Sequence, residues 1–538
     1  MLRWWRLGML VMLMALPLAS VRGQEDADPT RIWIADSVPV TLLRGLVPLF
    51  GTEDYVWVTD LDDAHLALDY EQAPGDISAE WVYVPVVPFA STADNIRWPD
   101  IQAYWAGDLA ALRGLTPDGT APAFVASNET YRAMLSLLGT PDPSVPLRFV
   151  GGSEAIPDEL WATRPYGWGI MGFETLVPQV KVLALDQYDV FGDDFIPADY
   201  PLTATINLKG DGDRLARAAD DLAAQDTWPA RNRNPARLGR VVLSGVTALT
   251  RATAFKMEEL GLTRPADGIM EFIADAHIIH TSNEVAFTEN CGPPDPFSGS
   301  VIFCSQPEYL ELLLHMGVNV VELTGNHVND YGPGALRYSL GLYEENAMGF
   351  YGGGYDPEDA RDALIVEANG NTVAFIGCNV PGPIGAWATE TRVGAAECDN
   401  DYLAQELPRL ADTVDVVVMS VQEFEYYRYS VGVGQLRRFQ LYANWGADVV
   451  IGSQAHQPQG FTFHQGSFLH HGLGNLFFDQ MQEIGTRQMF IDKLILHEGR
   501  VISVVLYTGL IEDFCCPRPM TAFERANFLD TIFQASGW

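Results

Sequence analysis

In the C-terminal half of this chain, apolar β-branched stretches repeatedly run straight into clusters of amide, imidazole and carboxylate side chains. VNVVEL leads into Gly325-Asn326-His327, with Asp330 just beyond, and ADVVI leads into Gly452-Ser453-Gln454-Ala455-His456. DAHIIH precedes Ser282-Asn283-Glu284, and DVVVM precedes the polar and aromatic run Gln422-Glu423-Phe424-Glu425-Tyr426. A further segment reads Gly472-Leu473-Gly474-Asn475-Leu476-Phe477-Phe478-Asp479. Uninterrupted apolar strands need both faces covered, and polar groups at their ends gather on one sheet edge, where α/β enzymes place their sites. The pattern predicts a layered α/β domain with a polar pocket along that edge. Alternation puts His470 and His471 on opposite faces of their strand, so one of them at most is expected to line that pocket. The aromatic run Phe424, Tyr426, Tyr427 and Tyr429 fits either a substrate groove or core packing.

At 538 residues the chain is too long for one ordinary core. Strands are expected at Val241–Leu243, Val318–Leu323, Thr372–Gly377, Val416–Ser420, Asp448–Gly452 and Phe468–His470. Upstream, short strands also alternate with helical stretches: WVYVPVV at Trp81–Val87 and Lys181–Leu185 read as strands, Trp98–Gly107 and Ser127–Leu138 as helices. Gly210–Gln225 reads as an Ala/Asp-rich helix, and Trp228–Arg240 has the Pro/Asn/Arg composition of a linker. The expected organisation is a signal peptide over 1–23, a smaller α/β domain over 30–225, a linker over 226–240, an α/β domain over 241–510 and a tail over 511–538. The amphipathic stretch Phe523–Phe533 is expected to pack back on the second domain.

Arg3 and Arg6, the apolar run Leu7–Leu18 and the small residues around Ala19, Ser20 and Gly23 have the layout of a secretory signal peptide. Either cleavage or retention as an N-terminal anchor fits, and the rest is expected outside the cytoplasm. The six cysteines suit an oxidising compartment. Cys291 and Cys304 flank a Pro/Gly-rich loop that a disulfide would close; pairing among Cys378, Cys398, Cys515 and Cys516 stays open. A net charge of −37 argues against nucleic acid or an anionic membrane as partner.

An Asn–His pair on a loop leaving a buried strand suits metal-assisted hydrolysis, the amide oxygen binding a cation and the imidazole stabilising an oxyanion. The motifs together resemble the CapA family of capsule and poly-γ-glutamate synthesis proteins, related to calcineurin-like metallophosphoesterases, over residues 240–490. The matches are Asn283 and Glu284; Asn326, His327, Asp330 and Gly332; Glu425 and Tyr426; Gly452, Ser453 and His456; Gly474 and Asn475; and YGGGYDPEDA. The resemblance implies a layered sandwich of the metallophosphoesterase-like type and a role in making or processing a cell-surface polymer. It further implies Glu284, Asn326 and His456 as ligands of a divalent metal, His327, Asp330 and Glu425 as catalytic groups, and Tyr426 and Asn475 as substrate contacts. The chain departs from the family at ligand-type positions: Gly245-Val246 replaces Gly-Asp, Gln422 replaces the His of His-Trp-Gly, and Gln454 replaces the first His of His-Pro-His. One weakly held metal or none therefore both fit, as do an enzyme and a non-catalytic protein binding a surface polymer or small anionic ligand.

Residues 30–210 are similar to phosphate-type periplasmic solute-binding proteins, through the order VPVVPFASTADNI, WPDIQAYWAG, FVASNETYRAMLSLLG and GIMGFETLVPQVKVLALD. That resemblance implies an oxyanion held at a helix N-terminus by Ser127, Asn128 and Thr130.

Overall fold

The computed structural model describes residues 28–538, so the expected signal peptide lies outside the described residues. One mixed sheet gathers strands from the first 210 residues, in the order Tyr55–Val58, Thr30–Ile34, Leu66–Glu71, Thr203–Gly210, Ile77–Pro88, Gly167–Gly172, Ala123–Ala126 and Leu147–Phe149. The long strand Ile77–Pro88 joins its two halves, pairing with Thr203–Gly210 through its first half and with Gly167–Gly172 through its second.

Two large sheets form from Leu238 onward, beside a two-stranded pair of Gly353–Gly354 with Gly394–Ala395, and side-chain alternation explains how the large ones stack. The first runs Gly349–Tyr351, Val320–Glu322, Ile278–Asn283, Leu238–Ser244, Gln488–His497, Arg500–Glu512 and Cys516–Pro519. The second runs Leu364–Ala368, Asn371–Asn379, Val416–Gln422, Val449–Ser453, Ser467–His470 and Phe461–His464. Val416 and Val418 point to one side of their strand, into a core shared with Val241, Leu243, Ile278 and Val320 of the other sheet. Val417, Met419 and Val421 point to the other side, against Leu403, Leu407, Leu410, Phe439 and Tyr442 of the helices Asn400–Thr413 and Val433–Trp445. The outer face of the first sheet is covered by Met257, Leu312, Leu313, Leu336 and Leu340. The result is the expected layered α/β sandwich, helices outside and two sheets within.

One segment differs from the sequence expectation. Trp228–Arg240 does not behave as a free linker. Asn232 is buried and bonds both N–H and C=O of Val82 (2.8 and 2.9 Å), Arg233 donates to the carbonyl of Val190, and the strand Leu238–Ser244 already begins inside it. The residues after 510 pack back on the second domain, as expected. Cys516–Pro519 pairs antiparallel with Arg500–Glu512, and the helix Ala522–Ala535, with its Thr521/Glu524 capping box, buries Phe528, Leu529, Ile532 and Phe533 in the core between the sheets.

The cysteines pair as Cys291–Cys304, Cys378–Cys398 and Cys515–Cys516. No helix among the described residues is long and apolar enough to cross a membrane.

Candidate functional site

The strands Ile278–Asn283, Val320–Glu322, Val416–Gln422 and Val449–Ser453 pair in parallel within their sheets, which delivers their C-terminal ends to common edges. Glycine lets these ends close up. A Cβ on Gly245 would stand 2.0 Å from the carbonyl oxygen of Gly474, and one on Gly452 2.0 Å from that of His471. Gln454 takes φ +72°, a backbone region that side-chain-bearing residues seldom adopt, immediately after its strand.

The centre of the pocket is Gln422. Its Nε2 donates to Gln454 Oε1 (2.7 Å), Asn326 Oδ1 (3.0 Å) and Glu284 Oε1 (3.3 Å), while its Oε1 accepts from Ser453 Oγ at 2.8 Å. Ser453 Oγ also lies 3.0 Å from Glu322 Oε1, which accepts from Thr324 as well. Behind them His280 Nε2 lies 2.9 Å from the hydroxyl of Tyr351, itself bonded to Ser420. All of Gln422, Glu284, Gln454, Glu322 and Ser453 are buried.

Around this centre runs an aromatic wall. His327 packs at 4.5 Å on Phe303, Phe303 meets Phe478 at 6.1 Å, Phe478 meets His456 at 5.3 Å, and His456 stacks under Tyr427 at 6.2 Å. Arg251 lies over both Phe303 and Phe478 and pairs with Asp479. The Cys291–Cys304 bridge ties down the loop that carries Phe303. Its apolar tip, with Phe297 and Val301, projects into solvent.

His327 Nδ1 lies 2.7 Å from Asp330 Oδ2, which also accepts from the backbone N–H of Phe303. Burial disfavours a charged imidazole here, but the bond to Asp330 and the carboxylates of Glu284, Asp330 and Glu425 outweigh it, and His327 is held above the ordinary histidine pKa. Asn475 donates to the carbonyls of His456 and Thr486, so its Oδ1 accepts from His456 Nδ1 at 2.8 Å. His456 Nε2 is thereby left with its lone pair.

The structure thus brings Glu284, Asn326, His327, Asp330, Glu425 and His456 around one pocket, and it reassigns several partners. Asn475 is wholly buried and spent on positioning His456 rather than on substrate. Tyr426 is clasped by Arg428, whereas its neighbour Tyr427 lies on the wall and donates to Glu425. Val246 is buried in a short strand between Ile278–Asn283 and Asn475–Phe477. His470 and His471 do point apart, but neither lines the pocket: His470 bonds Asp492, and His471 stacks on Phe439. Sequence reasoning passed over Glu322, Phe303 and Arg251. The last two come from segments without a motif, and only the fold carries them to the pocket.

As arranged, these donors do not fit a cation. The oxygens of Glu284, Asn326 and Gln454 are already turned on an N–H group, so that of these donors His456, through its free Nε2, stays open. Among the described residues no three His, Cys, Asp or Glu side chains gather as a metal site would require.

Ser127, Asn128 and Thr130 lie far along the chain at the start of the helix Asn128–Leu138 and are not free to hold an external anion. Ser127 and Thr130 are buried and spend their groups on a mutual capping box, and Ser127 Oγ also meets Ser153. Asn128 faces solvent. The carboxylate in that first turn is the chain's own Glu129, accepting from Ser153 and Tyr83.

Residues 222–480 match the family described as bacterial capsule synthesis protein, PGA_cap. The match covers just under half of the chain, and this region is similar to that family. Capsule biosynthesis protein CapA of Bacillus anthracis is 25% identical over 227 residues, 41% of this chain and 55% of that protein. PGA biosynthesis protein CapA of Bacillus subtilis (strain 168) is 22% identical over 231 residues, 42% of this chain and 60% of that protein. The chain therefore spans little more than half the length of these CapA relatives. Among solved structures, a 5'-nucleotidase precursor from Thermus thermophilus aligns with TM-score 0.33 and 14% identity, covering 55% of this chain and 59% of its own. In the CapA-like region, two of the three positions that depart from the family pattern, Gln422 and Gln454, bond one another.

Proposed function

We propose that the protein acts outside the cytoplasm in making or processing a capsule-type surface polymer, and that its pocket binds that polymer without a resident metal. The observation that carries this is the row Tyr427–His456–Phe478–Phe303–His327 beside buried hydrogen-bonding groups, in which buried rings back the solvent-exposed Tyr427 ring. The CapA relatives support the polymer class, and three disulfides support an oxidising location. Charge discriminates between polymers. The pocket holds Glu284, Glu425 and Asp330, and the chain carries −37 overall, so an uncharged polysaccharide enters more readily than polyglutamate. A small anionic ligand at Ser127 is disfavoured for the same reason, since Glu129 already lies there.

Calorimetric titration of the purified protein with neutral polysaccharide fragments and with poly-γ-glutamate tests this. Binding of the neutral fragments, unchanged by EDTA and weakened in Tyr427→Ala, is expected. Metal-dependent cleavage of poly-γ-glutamate, or no binding of either, would sink the proposal.

One observation favours a second reading. His327, anchored by Asp330 and surrounded by carboxylates, is placed to donate a proton to a bound polymer linkage. His327→Gln would then abolish turnover while leaving affinity within about threefold.

A further inference from the structure

The pocket's oxygens converge from separate strand ends on an atom of the chain itself. Glu284 follows the strand Ile278–Asn283, Asn326 follows Val320–Glu322, and Gln454 follows Val449–Ser453; Gln422 ends a fourth strand. Each directs a side-chain oxygen at Gln422 Nε2, at 2.7–3.3 Å. Those are hydrogen-bond lengths; oxygens around Mg²⁺ or Ca²⁺ would stand at about 2.0–2.6 Å. The carboxylate of Glu284, which can only accept, sets the amide's orientation, since a flipped amide would turn an oxygen on it. On the other side the amide oxygen meets Ser453 Oγ, a hydroxyl that also reaches Glu322.

We propose that Gln422 is a built-in substitute for a cation: its NH₂ group supplies the positive pole that gathers Glu284, Asn326 and Gln454, so the pocket is assembled without metal. The proposal rests on this being the functional pocket, not on which polymer enters it. A neutral amide lends partial charge where an ion would lend two full ones. An amide therefore neutralises less of the pocket's carboxylate charge than an ion would. Gln454 belongs to the same device, since its amide oxygen is the closest acceptor and its left-handed backbone turns it inward.

Gln422→Glu tests the idea in the full chain. The replacement keeps the shape but sets a second carboxylate against Glu284, so at mildly alkaline pH the oxygens repel until a cation enters. The wild-type melting temperature is expected to be indifferent to millimolar Mn²⁺. Gln422→Glu is expected to melt several degrees lower, to recover when Mn²⁺ is added, and to bind one equivalent at least about 100-fold more tightly than wild type. Glu284→Gln in the same background should remove the gain. A Gln422→Glu protein that folds but ignores Mn²⁺ overturns the proposal. So does wild type binding one Mn²⁺ tightly and losing it on Glu284→Gln alone, a measurement that stands even if Gln422→Glu cannot be folded. Because no polymer enters this experiment, its failure leaves the polymer proposal standing, and the reverse also holds.

Discussion

Phe89 is the side chain on which the junction between the first sheet and the sandwich most depends. It follows directly on the strand Ile77–Pro88 and is 2% exposed, yet its ring neighbours all come from the other region. Phe461, Phe463, Phe468, Phe533 and Trp538 present ring contacts at 5.3–6.3 Å, all edge-on. Removing such a ring forfeits its transfer free energy and leaves a cavity, together about 3–5 kcal/mol for Phe→Ala. Phe89→Leu refills most of the volume and should cost only about 1–2 kcal/mol, chiefly the lost edge-to-face contacts. Trp161 against Phe463 and Trp538, Phe173 against His497, buried Arg240 on Asp193 and the carbonyl of Phe191, and Arg500 on the carbonyl of Glu174 also cross the junction. The partly exposed Asp94–Arg525 pair adds about 1 kcal/mol or less. Scanning calorimetry should therefore show the Phe89→Ala protein melting well below wild type, with Phe89→Leu intermediate. A Phe89→Ala thermogram indistinguishable from wild type would refute the assignment of the junction to this ring.

Two further outcomes follow from other parts of the molecule. Burial, with the nearby Glu129 carboxylate, pushes the Glu174 carboxyl up to about 8, against hydrogen bonds from Asn232 and Trp81. A carboxyl raised this way holds a proton in the folded state that the unfolded chain releases. Its stabilising contribution is full below the ordinary value of 4.5 and is lost as pH rises through about 8. Urea unfolding followed against pH should show stability falling across that window, and Glu174→Gln should flatten the slope whatever its effect on absolute stability; an unchanged slope counts against the shift. Opening the Cys291–Cys304 bridge with paired serines frees a loop of 13 residues, worth about 3 kcal/mol in chain entropy, and releases Phe303 from His327. The variant should melt lower and bind polymer fragments more weakly. Equal melting temperatures for the variant and oxidised wild type would argue that the bridge carries no stability.

Local pattern determined a good deal of this protein. The apolar runs ending in Asn326-His327, Gln422 and Gln454 declare parallel strands with a polar edge, because a period-two chain buried on both faces must be apolar throughout and can turn polar only where it leaves the sheet. The capped helices at Ser127 and Thr521 are likewise written in three or four consecutive residues. What local pattern cannot state is which polar groups meet. Glu284 and Gln422 are 138 positions apart, and whether their pocket waits for an ion or is closed by an amide depends on a side-chain orientation set by Ser453 and Gln454. The expected metal set shows this: each residue is of ligand type and His456 keeps a free Nε2, but Gln422 holds the oxygens of Glu284 and Asn326. Ser127 and Thr130 failed as anion contacts because the folded helix turns them on each other and brings Glu129 to the place. Phe303 and Arg251 reach the pocket only because a disulfide-closed loop and a helix start are packed there. Strands and caps are decided over a few bonds; a site is decided by long-range packing, which alone chooses the partner of each polar group.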